Sequence, residues 1–163
     1  MKRLILIVIT LSLIFLFSCQ SQQYGILSYQ EKNIEAECTL NGEYKILITK
    51  SNGRTDVKFT EPSELKSVGF YKENEKIYGY AGDTEIPFEY QDLAGVSSIL
   101  CVFSLDEGTL ASAVSKNDLA CMEFTNELAT YKITFGKNEL PKQIEISSDD
   151  YELFLVVDAI KLN

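Results

Sequence analysis

The chain has four cysteines and no histidine among its 163 residues, so its most reactive side chains are thiols. A zinc site would therefore need cysteines and carboxylates alone, and no CxxC pair is present to supply them. Three cysteines lie well inside the chain: Cys38, Cys101 and Cys121. A disulfide between the last two is one interpretation, because the sequence alone does not establish which cysteines pair. The other is that all three are small buried apolar residues, and the apolar neighbours of Cys101 and Cys121 favour it.

Catalytic groups are equally scarce. The commonest general base is histidine, which is absent, and no GxSxG elbow or P-loop occurs. The pairs Ser97-Ser98 and Ser147-Ser148 have no base at a recognisable spacing, and Asp149-Asp150 lacks the spacing of a calcium loop. A hydrolase that uses two carboxylates stays open, because such residues meet only in three dimensions. We expect no enzyme, no metal and no cofactor.

The first residues have the layout of a secretory signal. Met1, Lys2 and Arg3 precede an almost unbroken apolar run, Leu4 to Phe17. This run is shorter than the roughly 20 residues with which a helix crosses a bilayer. A transmembrane anchor remains one alternative, and ordinary signal cleavage beside an incidental cysteine is another.

The stretch Leu16-Phe17-Ser18-Cys19 resembles the lipobox of bacterial lipoprotein precursors. The resemblance implies that the Cys19 thiol receives a diacylglyceryl group and that residues 1–18 are removed as a signal peptide. Cys19 would then begin the mature protein and tie it to the membrane. Two acyl chains are sufficient for stable anchoring. The expected location is extracytoplasmic, with a lipid anchor in the cell membrane.

The mature chain is strongly acidic. Removal of residues 1–18 leaves 13 basic and 24 acidic residues, a net charge of −11. Such a charge excludes nucleic acid as a partner, because phosphates require a basic surface. It also disfavours adsorption to anionic lipid through protein charge, so the lipid would supply the membrane affinity. Residues 19–25 are the lipidated cysteine and a short tether, and residues 26–163 suit a single domain.

Most of this domain alternates between apolar and polar residues, as strands with one buried face do. Ile34–Leu40 is followed by Asn41-Gly42, a strong hairpin signal, and then by a strand ending at Lys50. After a second turn, Thr55, Val57 and Phe59 alternate in a third strand. The further strands are predicted at 67–72, 76–81, 85–88, 119–124, 129–135, 142–147 and 151–159.

Two segments depart from this pattern. Apolar residues at spacings of three and four predict an amphipathic helix over 89–104, whereas 109–118 fits a helical turn or a strand. The last strand is apolar on both faces, with Ile160 opposite Leu155, and is therefore covered twice or lines a cavity. The predicted class is α+β. Nine or ten mostly antiparallel strands form a curved half-barrel, and one or two helices lie on its concave face.

Three stretches resemble the LolA/LolB-like superfamily of lipoprotein carriers: 57–62, 69–80 and 140–146. They correspond to a strand followed by proline, an aromatic hairpin and a late strand, while Ile26–Lys50 also resembles small uncharacterised lipoproteins of Gram-positive bacteria. The superfamily resemblance implies an open half-barrel whose cavity binds acyl chains. A membrane-anchored member would correspond to the receptor rather than to the soluble carrier.

The aromatic residues are the candidates for a ligand wall. We expect part of this set near the helix entrance and part on late strands: Tyr78, Tyr80, Phe88, Phe103, Tyr131, Phe135 and Phe154. Ordinary core packing is the alternative for each of them. The leading hypothesis is non-catalytic binding of a hydrophobic or lipid-like ligand. The other hypothesis is an envelope interaction or structural protein with a filled core.

Overall fold

The computed structural model describes residues 28–74, 76–88, 93–105, 110–116 and 119–163. Within these ranges eleven antiparallel strands form one curved sheet, which confirms the predicted fold class. The strands are β1 (Ile34–Leu40), β2 (Tyr44–Ser51), β3 (Arg54–Glu61), β4 (Val68–Glu73), β5 (Lys76–Ala81), β6 (Thr84–Phe88), β7 (Leu110–Lys116), β8 (Leu119–Thr125), β9 (Thr130–Phe135), β10 (Pro141–Ser147) and β11 (Glu152–Leu162). Their order in the sheet is β6-β5-β4-β3-β2-β1-β11-β10-β9-β8-β7.

Tight turns explain the first half of this order. Asn41 and Gly42 have positive φ angles of 51° and 74°, and Asn52 and Gly53 have angles of 52° and 78°. Paired positive φ values belong to the hairpin turns whose twist matches that of the strands. The three predicted N-terminal strands are therefore confirmed as a meander.

The meander places its turns at two ends of the sheet. One end of the sheet, which we call the upper end, carries the turns 41–43, 62–67, 82–83, 126–129 and 148–151. At the opposite, lower end, a 3-10 helix over Ser28–Glu31 leads into β1. Backbone hydrogen bonds of 2.9 and 3.2 Å between Asn33 and Asn163 join the two termini of the described domain there.

One face of the sheet carries the core. In β1 the side chains of Ile34, Ala36 and Cys38 are buried, whereas Glu35 and Glu37 between them point to the other, outer face. The largest fully buried side chains are Tyr131, Phe103, Phe124, Phe135, Ile46, Ile48, Ile77, Leu100, Ile133, Ile144, Ile146 and Leu155. Burial of apolar area at this face is the main contribution to folding.

A β-bulge changes the face of the final residues. Glu37 pairs with Ala159 and Cys38 pairs with Val157, so Asp158 is the extra residue of β11. Beyond the bulge, Ile160 pairs with buried Ala36 and so belongs to the core face. The prediction that Ile160 lies opposite Leu155 is wrong, because strict alternation ignores the inserted residue.

One α-helix lies on the core face among the described residues. This helix, α1 (Ala94–Cys101), packs against β3 and β4. It is shorter than the predicted 89–104: Val102 forms its C-cap, and residues 89–92 lie outside the described ranges. The ambiguous segment 109–118 contains β7, which raises the strand number to eleven. None of the helices in the described ranges combines the length and apolarity that a membrane span requires.

The three internal cysteines are free thiols. Cys38 and Cys101 are buried and Cys121 is partly buried, so the alternative without a disulfide is confirmed. Burial raises the pKa of the Cys38 thiol to about 12. That thiol is therefore a packing group of low reactivity.

Candidate functional site

An apolar cavity of about 220 Å³ lies between α1 and the core face of the sheet. Its walls come from five strands and the first half of the helix: Leu40, Ile46, Val57, Phe59, Phe70, Gly95, Val96, Ile99 and Leu153. None of these residues is charged or has a polar side chain. The arrangement can therefore hold a hydrocarbon group and offers it no hydrogen bond from a lining side chain.

Strand register brings these walls together. Ile46 pairs with Phe59 across β2 and β3, and Val57 pairs with Phe70 across β3 and β4. Because side chains at alternate positions share a face, all four project toward α1. At the helix, Gly95 leaves room beneath the backbone: a Cβ there would meet Leu153 at an ordinary 3.7 Å.

A tyrosine hydroxyl attaches α1 to the sheet. The Tyr151 Oη lies 2.5 Å from Ser98 Oγ, 3.2 Å from the Ala94 carbonyl oxygen and 3.3 Å from the Leu128 carbonyl oxygen. A phenol has one proton, which Tyr151 shares between the two carbonyl oxygens, so its oxygen accepts from Ser98. Ser98 is fully buried, which explains why it is no accessible nucleophile.

Two lysines lie on the core face beyond the cavity, toward the lower end. Lys50 pairs with Thr55 and Thr55 pairs with Lys72, one row further along the strands than Val57 and Phe70. Lys50 Nζ donates to the carbonyl oxygens of Gln30 at 2.5 Å and Phe103 at 2.8 Å, and burial lowers the pKa of this amine. Lys72 Nζ lies 3.9 Å from Cys101 Sγ near the end of α1.

The predicted aromatic wall is divided between different parts of the molecule. Phe103, Tyr131 and Phe135 are fully buried in the core, where Tyr29 makes edge contacts with both phenylalanines at centroid distances of 6.3 and 6.2 Å. They do not line the cavity. The position of these three residues therefore corresponds to the alternative of ordinary core packing.

Tyr78 and Tyr80 share one face, as predicted, but it is the outer face, away from α1. Their neighbours Ile77 and Gly79 take the core side of β5. Tyr78 stacks on Tyr71 at a centroid distance of 4.9 Å. The expectation that they stand at the helix entrance is therefore wrong, because a strand with apolar residues at consecutive positions does not reveal its buried face.

The same outer cluster includes charged partners. The Arg54 guanidinium lies 3.6 Å from the centroid of the Tyr71 ring and forms a 2.8 Å ion pair with Asp56. Tyr80 donates a 3.0 Å hydrogen bond to Asp56, and Tyr71 donates one to Glu85. Burial, with the nearby Asp56 carboxylate, raises the pKa of Tyr80 to about 12.

Phe154 also lies on the outer face, 37% exposed. It borders a groove of about 740 Å³ whose other walls include Glu123, Lys132, Glu145 and Glu152. This groove is larger than the cavity, but most of its lining residues are polar or charged, whereas those of the cavity are all apolar. Of the remaining predicted residues, the side chain of Phe88 and the whole of Cys19 lie outside what the structure describes.

A polar network on the outer face contains a hydroxyl, an amine and a carboxylate, which are residue types found in catalytic groups. Their protonation states are not those that a catalytic group needs. Thr39 Oγ1 donates to Asp158 Oδ2 at 2.7 Å, and Lys45 Nζ lies 2.9 Å from the same oxygen. The Thr39 hydrogen bond, followed by Lys45, holds the pKa of Asp158 below its usual range. An ionised, ion-paired carboxylate is a weak base, so this network stabilises the bulge and gives Thr39 no activation.

Sequence reasoning missed the residues that do line the cavity. Alternation predicts that Val57 and Phe59 share one face of a strand, yet nothing local distinguishes a cavity wall from a packed core. Among the described residues, no group of three or more potential metal ligands comes together.

Comparisons with known proteins give resemblances of fold only. No family model matches the chain, and no curated protein matches it at the significance required. One similar solved structure is an uncharacterized conserved protein from Thermus thermophilus, with 14% identity, 88% of each chain covered and a TM-score of 0.47. Another is a LolA superfamily protein from Nitrosomonas europaea, with 11% identity, 86% of this chain and 93% of that chain covered, and a TM-score of 0.45.

Proposed function

We propose that this protein is a cell-envelope lipoprotein, anchored through lipid on Cys19, that binds an apolar chain beneath α1 without catalysing a reaction. The observation that carries the binding proposal is the cavity of about 220 Å³ with an entirely apolar wall. An unfilled space with apolar walls between a helix and a sheet is a usual setting for the binding of an apolar ligand.

The size of the cavity limits the ligand. It exceeds the ~150 Å³ apolar cavity that accepts a benzene molecule. It is smaller than the ~300–1,000 Å³ typical of pockets for drug-sized molecules. A single hydrocarbon chain, or one segment of it, therefore suits the space better than a whole lipid.

The alternative, an envelope interaction protein, would need an exposed apolar patch. In the described part of the chain the exposed large apolar side chains are Ile86, at 49%, and Phe154, at 37%. They lie on β6 and β11, six strands apart, or about 29 Å measured along the curved sheet at ~4.8 Å per strand. These positions favour ligand binding over a single apolar docking patch.

Native mass spectrometry of residues 20–163 tests the binding proposal. The sheet and its core lie entirely within residues 28–163, so this fragment keeps every contact described above. After expression in a bacterial host, a co-purifying apolar molecule is the expected result. A mass equal to that of the chain alone, unchanged after incubation with long-chain alcohols, would favour the interaction protein instead.

A further inference from the structure

We propose that the cavity beneath α1 selects amphiphiles whose head group is positively charged. The inference rests on the proposed binding function and adds the class of ligand. It depends on where the cavity lies in the fold and on which charges surround that position.

The cavity belongs to the upper end of the sheet. Leu40 is the last residue of β1, Leu153 is the second residue of β11, and Gly95 is the second residue of α1. Phe59 and Phe70 lie near the β3–β4 connection at the same end. A chain held against these walls would therefore leave its head group among the upper turns.

Carboxylates dominate those turns. The five upper turns contain six acidic residues and one lysine: Glu43, Glu64, Lys66, Asp83, Glu127, Asp149 and Asp150. All seven are exposed. The resulting negative potential attracts a cationic head group and repels an anionic one, and because the charges are in water it weakens as salt is added.

Two of these carboxylates are close in the chain to a residue that contacts the helix at the cavity. Asp149 and Asp150 precede Tyr151, whose ring lies 3.9 Å from the position of a Cβ on Gly95. Glu43 follows Leu40 by three residues in the β1–β2 turn. These three side chains are therefore the ones whose charge we expect a bound head group to sense most strongly.

The lysines of the core face do not reverse this preference. Lys50 and Lys72 lie one row beyond the lining residues, toward the lower end. Lys50 is bonded to two backbone carbonyl oxygens, and Lys72 lies beside the Cys101 sulfur at the C-terminal end of α1.

Three ligands with apolar chains of about nine to ten carbons test the inference: decyltrimethylammonium, decanol and decanoate. Their affinities for residues 20–163 are measured by calorimetry, below micelle formation, at about 20 mM and about 200 mM salt. We expect the cation to bind about tenfold more tightly than the anion at low salt, and the ratio to fall several-fold at high salt.

A charge-neutralised variant identifies the source of the preference. Glu43→Gln, Asp149→Asn and Asp150→Asn together remove three charges from the upper end, and the affinity ratio should fall to about threefold or less. The matched control, Glu31→Gln, Glu73→Gln and Glu139→Gln, removes three charges from the lower end and should leave the ratio unchanged.

The outcomes separate this inference from the function on which it rests. Equal affinities for the three ligands, or tighter binding of decanoate, would overturn the cationic preference while leaving apolar binding intact. Failure of all three to bind would overturn both. If the upper variant does not fold, the salt dependence of the wild-type ratio still decides, because a ratio insensitive to salt contradicts selection by exposed charges.

Discussion

The ring of Tyr80 lies across Gly69, its cross-strand partner, on the outer face of the sheet. A Cβ at Gly69 would collide with the phenol and would lie 2.8 Å from the Val57 carbonyl oxygen. Aromatic rings that cover a glycine of the adjacent strand are a recognised way of fixing strand register. The absence of a side chain at Gly69 is what lets Tyr80 reach Asp56.

Replacement of Gly69 by alanine should therefore destabilise the domain by about 1–3 kcal/mol, the usual cost of forcing atoms into an occupied space. Urea unfolding measures the change. Gly95→Ala is the matched control, since its Cβ would make only ordinary contacts of 3.7 and 3.9 Å. In a helix that exchange should be neutral or stabilising by up to about 1 kcal/mol. Equal losses at the two glycines would contradict the steric explanation.

Removal of the Tyr151 hydroxyl should loosen α1. Tyr151→Phe leaves Ser98 and the Ala94 carbonyl without this partner, and we expect a loss of about 1–2 kcal/mol. Hydrogen exchange should accelerate in residues 94–101 more than in β9 and β10. Tyr78→Phe is the control, because it retains the ring that stacks on Tyr71. Unchanged protection of α1 in Tyr151→Phe would show that packing alone holds the helix.

The outer-face network predicts a pH dependence of stability. The pKa of Asp158 is lowered in the folded protein, first by the Thr39 hydrogen bond and then by Lys45. Its stabilising contribution is therefore present above the ordinary aspartate pKa of about 3.9 and disappears as the pH falls through the lower folded value. The difference in unfolding free energy between wild type and Asp158→Asn should shrink as the pH falls from about 6 to about 3.

Thr39→Val provides the internal control for this effect. It removes the hydrogen bond that contributes most to the lowered pKa, so the pH dependence contributed by Asp158 should become smaller in that background. If the difference in unfolding free energy between wild type and Asp158→Asn stays constant over the whole pH range, Asp158 acts through backbone geometry at the bulge instead.

Occlusion of the cavity tests whether it is the binding site. Gly95→Leu extends a side chain from the helix into the space bordered by Leu153, so the affinity for a decyl chain should fall about tenfold or more. The comparison variant is Val156→Leu, which enlarges a side chain outside the cavity lining. Calorimetry gives both affinities, and retention of full affinity in Gly95→Leu would place the site elsewhere.

The lipid anchor has a separate test. Cys19→Ala removes the thiol that would be acylated, so metabolic labelling with a fatty acid should be lost and the precursor should remain uncut. Ser18→Ala keeps a small residue before Cys19 and should be labelled like the wild type. Labelling that persists without the Cys19 thiol would refute the assignment.

The sequence predicts the elements of this fold better than it predicts their faces. Alternation and the Asn-Gly turns identify β1 to β3, because each signal is local. The consecutive residues Ile77 and Tyr78 are both compatible with a buried face, and only the completed sheet decides between them. The face of Ile160 is unpredictable for a similar reason. The inserted residue Asp158 shifts the alternation, and no particular amino-acid composition marks a β-bulge in the sequence.

The candidate site was less predictable for a related reason. A cavity is a property of the distance between α1 and the strands, and the same residues Phe59 and Phe70 would fill a core if the helix lay closer. The aromatic residues predicted to form a ligand wall include Tyr131, which is fully buried in the packed core. The walls of the cavity are instead mostly aliphatic.

The 3-10 helix at Ser28–Glu31 and the cavity lie at opposite ends of the strands. The seven residues of β1 separate them by about 23 Å at ~3.3 Å per residue. Under the proposed anchor at Cys19, the residues 19–27 attach to the lower end and reach at most ~30 Å. The proposed anchor and the cavity would then stand at opposite ends of the strands, and delivery of cargo by a partner in the aqueous compartment would become a direct route of exchange.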